Sequence, residues 1–110
     1  MSNEINPERA VAYIMETAPK YAKAKAARVK LEEFRKSKKA ALMNSSTETV
    51  LGKQESYAYA HPEYLEVLNG LEWAVEEEEK YKWMMIAAQA KIEIWKTLQY
   101  NTRAELKAFN

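Results

Sequence analysis

The chain has 110 residues, with 17 Lys and Arg against 16 Asp and Glu, two glycines, three prolines and no cysteine. That length suits one domain with one modest core. The scarcity of Gly and Pro beside abundant Ala, Glu, Lys and Leu predicts an all-α fold. The lack of cysteine excludes disulfides and thiolate metal sites and fits a reducing cytoplasm.

The N-terminal MSNEINPERA has no basic region followed by an apolar core, so no export signal is expected. Asn6, Pro7 and Glu8 form a helix start: Asn caps, Pro suits the first helical position, and an acid favours the positive end of the helix dipole. A first helix is predicted from Pro7 to about Thr17, with a kink or short break at Pro19, which has no amide proton to donate.

A second helix is predicted from about Lys20 to Met43. Ala24, Ala27, Leu31, Phe34, Lys38 and Ala41 recur at the spacing of one packing stripe, with the Lys38 stem lying along it. NSSTETVLGKQES, residues 44–56, holds turn formers and lacks helical periodicity. A mobile loop is therefore expected over about 44–61, within a single helical domain spanning 1–110.

Pro62 opens a last helix reaching about Lys107, with Gly70 as its weak point. At 1.5 Å per residue such a helix measures roughly 68 Å, against a diameter near 35 Å for a compact chain of this size. The expected architecture is an elongated helical hairpin. Val67, Leu71, Ala74, Tyr81, Met85, Ala88, Ile92 and Trp95 form its seam, interrupted by Glu78. Trp83, Ile86, Ala87, Ala90 and Ile94 point elsewhere, and a single partner helix covers only about a third of a helix's circumference. Burying one Trp or Ile is worth about 1.5 to 3 kcal/mol, so this second face predicts self-association as a homo-oligomer. The apolar run from Trp83 to Ala90 is far shorter than the roughly 20 residues of a membrane span, so no membrane partner is expected.

Charge is segregated along the chain. Residues 20–39 carry nine cations and two acids, and residues 63–79 carry seven acids and no cation. On the basic helix Lys25, Arg28, Arg35, Lys36 and Lys39 fall on one stripe of the kind that tracks a phosphate backbone. An antiparallel hairpin would instead lay the two segments side by side and neutralise much of that field, and the two readings are compatible. Glu76 to Glu79 lack the histidine-containing, two-helix spacing of a carboxylate metal site and read as solvated or salt-paired. Tyr57, Tyr59, His61 and Tyr64 stand close together; aromatics beside cations can stack on unpaired bases, but packing over a helix end is the commoner role and the one expected here. With one histidine, no cysteine and no Gly-rich phosphate loop, neither catalysis nor a cofactor is expected.

The order of features resembles the small helical proteins of tailed-phage recombination and replication modules, and the layout is similar to phage recombination mediators. The resemblance is carried by ARVKLEEFRKSKKAALM, a loop, and HPEYLEVLNGLEWAVEEEEKYKWMMIAAQAKIEIWKT. It implies an oligomer that holds single-stranded DNA and supports a strand-exchange or annealing protein, with Arg28, Lys30, Arg35, Lys36, Lys38 and Lys39 at the matching positions. The acidic run Glu76 to Glu79 departs from that pattern. The alternative reading is a protein-binding regulator or inhibitor of a host or phage enzyme, using Trp83 and its neighbours as a groove-filling helix face.

Overall fold

In the computed structural model, which describes residues 4–109, three α-helices follow one another: α1 (Pro7–Ser45), α2 (Leu51–Ala60) and α3 (Pro62–Phe109). No described residue lies in a strand, so the fold is all-α as expected. The start of α1 is the predicted one. Asn6 Oδ1 accepts the Arg9 amide at 3.1 Å and the Asn6 carbonyl accepts the Ala10 amide at 3.1 Å, which satisfies donors that every helix N-terminus leaves over.

Two expected boundaries are corrected. Of the kink or short break expected at Pro19, the break is absent, since Pro19 lies inside one continuous α1. A proline there removes one backbone hydrogen bond and crowds the preceding turn. Packing nearby offsets that cost, since Thr17 is buried and Ala18 and Tyr21 are half-buried. The second correction concerns the expected loop, which contains α2. Ala58, 0% exposed, packs against Leu42 and Tyr64. Gln54 Nε2 donates to the Glu48 carbonyl at 2.8 Å, and Ser56 Oγ donates to the Gly52 carbonyl at 3.0 Å. A helix that buries only one alanine leaves no apolar periodicity in the sequence.

His61 joins α2 to α3. Its amide donates to the Ala58 carbonyl at 3.2 Å, and its Nδ1 accepts the Glu63 amide at 3.1 Å, so one residue closes one helix and caps the next. From Pro62, α3 runs through Asn69 and Gly70 without a break.

The chain forms two compact units, one within Met1–Tyr21 and Lys80–Asn110, the other Ala22–Glu79. In each, a stretch of α1 lies antiparallel to a stretch of α3. In the first unit Ala10 and Tyr13 meet Ala88 and Met84 across one groove, and the buried Ala10 and Ala88 let the backbones approach. In the second, Leu42, Ala58 and Tyr64 form a small core backed by Met43 and Leu68.

All eight expected seam positions of α3 are buried or half-buried. The α1 stripe is rotated from its expected place. Ala24, Leu31 and Lys38 face inward as expected, but Ala27, Phe34 and Ala41 are exposed, and Arg28, Arg35 and Leu42 take the inward positions. Phe34 is left 49% exposed. What draws the arginine side inward is Glu78.

Candidate functional site

Glu78 fills the gap in the α3 seam and is only 7% exposed. A buried carboxylate must be paired, because its lost hydration costs far more than an ordinary polar burial. Arg28 pairs it. Nε donates to Glu78 Oε2, Nη2 donates to Glu78 Oε1 at 3.1 Å, and Nη1 reaches Glu32 Oε1 at 3.0 Å. This fork-to-carboxylate geometry is the strong form of a charge-assisted bond. The hydrogen bonds to Glu78 first, and then to Glu32, push the Arg28 guanidinium further above its already high range.

Nearer the α2 end of the same unit, Lys38 Nζ lies 3.0 Å from Glu63 Oε2, and this bond holds the Glu63 carboxyl below its usual range. Lys39 Nζ lies 4.6 Å from the centre of the Tyr59 ring, and hydrogen bonding to Tyr59 raises the lysine above its usual value. Tyr59 meets the buried Tyr64 edge to face at 5.4 Å. Tyr59 and Tyr64 thus pack together across the α2–α3 junction, although Tyr57 and Tyr59 keep exposed surface.

The structure therefore divides the seven candidate DNA-binding cations. Arg28, Lys38 and Lys39 are engaged across the helix pairing, and Lys36 meets Glu33 at 3.2 Å on its own helix. Arg35 is half-buried, while Lys25 and Lys30 are exposed. The unit Ala22–Glu79 holds nine Lys and Arg against eleven Glu, so acids outnumber cations in the unit that contains the basic helix. The excess positive charge sits in the other unit, with eight cations against five acids. Sequence reading missed this because the cations of residues 80–107 are spread thinly.

The five candidate interface residues remain on the surface of the chain. Trp83 is 59% exposed, Ile86 39% and Ile94 51%, and Ala87 and Ala90 are exposed beside them. Leu98 extends the face by one further turn. Ala87 also lines an open groove of about 670 Å³ with Ile5, Tyr13 and Met84, flanked by Arg9 and Lys91. Beyond Trp95 the last turns of α3 lose their cover, and every residue from Lys96 to Phe109 is exposed.

Among the described residues no group of three or more His or Glu side chains gathers to hold a metal ion, and no helix is long and apolar enough to cross a membrane. The chain matches no family model, no curated protein and no solved structure.

Proposed function

We propose that this is a non-enzymatic helical protein of the cytoplasm that self-associates through Trp83, Ile86, Ala87, Ala90 and Ile94. In the assembled form it binds single-stranded DNA and assists a phage-type recombination or replication protein. The observation that carries the reading is the exposed Trp83, Ile86 and Ile94 on one face of α3. A contiguous apolar face of this kind on a single chain marks an association surface. Joining copies multiplies weak cationic contacts along one strand, which a single chain with a net charge of +1 does not supply. The phage assignment rests on the resemblance of layout.

Two measurements test it together. Light scattering should give a mass above one chain, and anisotropy of a labelled oligothymidylate should show binding that weakens steeply with added salt, as release of counterions requires. A single-chain mass with no response to the oligonucleotide sinks the proposal. The same exposed Trp83 supports a second reading, a regulator that lays this face into a groove on another protein. Its mark would be a single-chain mass and a stoichiometric complex with one enzyme that Trp83→Lys abolishes.

A further inference from the structure

Up to Trp95, the side of α3 that faces α1 in the first unit is apolar: Met85, Ala88, Ile92 and Trp95 are buried or half-buried there. Past Trp95 the same side becomes mixed, with Gln99, Thr102 and Leu106 continuing the seam spacing. Beside it Lys96, Tyr100, Arg103 and Lys107 stand at i, i+4, i+7 and i+11, which is a single helical stripe. Tyr100 is 72% exposed. It shares an open recess of about 470 Å³ with Trp95, Lys96, Gln99 and Arg103. Lys96 meets Glu93 at 3.3 Å in an exposed intrahelical pair, which is weak in water. Arg103 and Lys107 are held by no carboxylate among the described residues.

Cations spaced along one stripe with an exposed aromatic ring between them match what unpaired nucleic acid offers, namely phosphates at intervals and bases with open faces. The rest of the charge distribution points the same way. Residues 80–107 hold six cations and two acids, whereas the cations of α1 lie in a unit where acids outnumber them.

We infer that the strand-binding element is the end of α3, with Lys96, Arg103 and Lys107 on successive phosphates and Tyr100 stacked on a base. Of the α1 cations, Arg28, Lys38 and Lys39 serve to hold the fold. This inference rests on the single-stranded-DNA reading and relocates its site. Because residues 96–109 are all exposed, changing them leaves the packed units untouched.

The test compares Arg103→Glu with Lys107→Glu, Tyr100→Ala, and Lys25→Glu with Lys30→Glu, each titrated with labelled oligothymidylate at several salt concentrations. Circular dichroism checks that helicity is kept. The Arg103 and Lys107 double variant should lower the slope of log affinity against log salt by about 1.4, the share of two phosphates on a single strand. Tyr100→Ala should weaken binding between about 5-fold and 150-fold, and Tyr100→Trp should restore it. The Lys25 and Lys30 variant should bind within about 2-fold of the parent, since two non-contacting charges act only through a screened field.

If the α1 variant loses binding and the α3 variants keep it, the inference is overturned while the DNA reading stands. If the parent does not bind, both fall. Photocrosslinking of the unaltered protein to a bromouracil oligonucleotide gives an independent check. Adducts at Tyr100 support the inference, and adducts confined to residues 20–39 overturn it.

Discussion

Arg28 and Glu78, fifty residues apart, close a forked ion pair on the seam between α1 and α3, where each occupies a position that an apolar residue would ordinarily take. The pair sets which side of α1 turns inward. It does so at the expense of Phe34, which is left in water.

Removing one partner leaves the other charge stranded, so Glu78→Gln should destabilise strongly. Its thermal midpoint should fall by at least about 4 °C. Combining Arg28→Leu with Glu78→Leu should recover most of that loss, because an apolar pair needs no charge compensation at a seam position. Thermal melts of Arg28→Leu, Glu78→Leu and the double variant decide it. Strictly additive losses would mean the two residues act independently.

The Lys38–Glu63 pair gives a pH signature. Glu63 has a lowered folded-state pKa, so its contribution is fully present above the usual glutamate value near 4.3 and is lost as pH falls through the lower folded value. Lys39 has a raised folded-state pKa. Its contribution is present below the ordinary lysine value near 10.4 and is lost as pH rises through the higher folded one. Urea midpoints measured across pH should therefore decline at both extremes. Lys38→Met should flatten only the acid arm, and a variant whose acid arm matches the parent's would contradict the pairing.

Ala58 is the buried residue of α2, packed against the rest of its unit. Ala58→Leu should cost about 1 to 3 kcal/mol by overpacking against Leu42 and Tyr64. The readout is local as well as global. Limited proteolysis should begin to cut within residues 46–60, and unchanged protection would show that α2 is held by other contacts.

The proposed self-association predicts that a charge placed on the exposed α3 face separates copies without unfolding the chain. Ile86→Glu with Ile94→Glu removes two anchors, each worth about 1.5 to 3 kcal/mol when fully buried. Sedimentation equilibrium should show the mass falling to that of one chain at concentrations where the parent remains associated. Far-ultraviolet circular dichroism should be unchanged.

Much of this arrangement is legible in the sequence. The Asn6 cap, the Pro62 start and the eight α3 seam positions follow from local chemistry and from a period that one helix imposes on itself. The exposed second face follows from the same count. What escapes is decided by tertiary partners. The α1 spacing fits a stripe through Ala27 and Phe34, and only the buried Glu78 on another helix turns Arg28 inward instead. Continuity through Pro19 depends on neighbouring packing that no local rule encodes. In α2 a single alanine replaces a periodic face. His61, read beside the tyrosines, is a hinge cap between helices because its ring nitrogen reaches the Glu63 amide.

The long run of α3 from a covered middle to an uncovered end also makes the helix its own gauge. Amide protons near Ala74 and Ala88 sit against packed neighbours, while those from Lys96 to Phe109 have only their own helix to shield them. Deuterium uptake should therefore rise sharply after Trp95, because opening there disturbs no tertiary contact. Any partner that settles on those last turns will announce its footprint, residue by residue, as a slowing of that uptake.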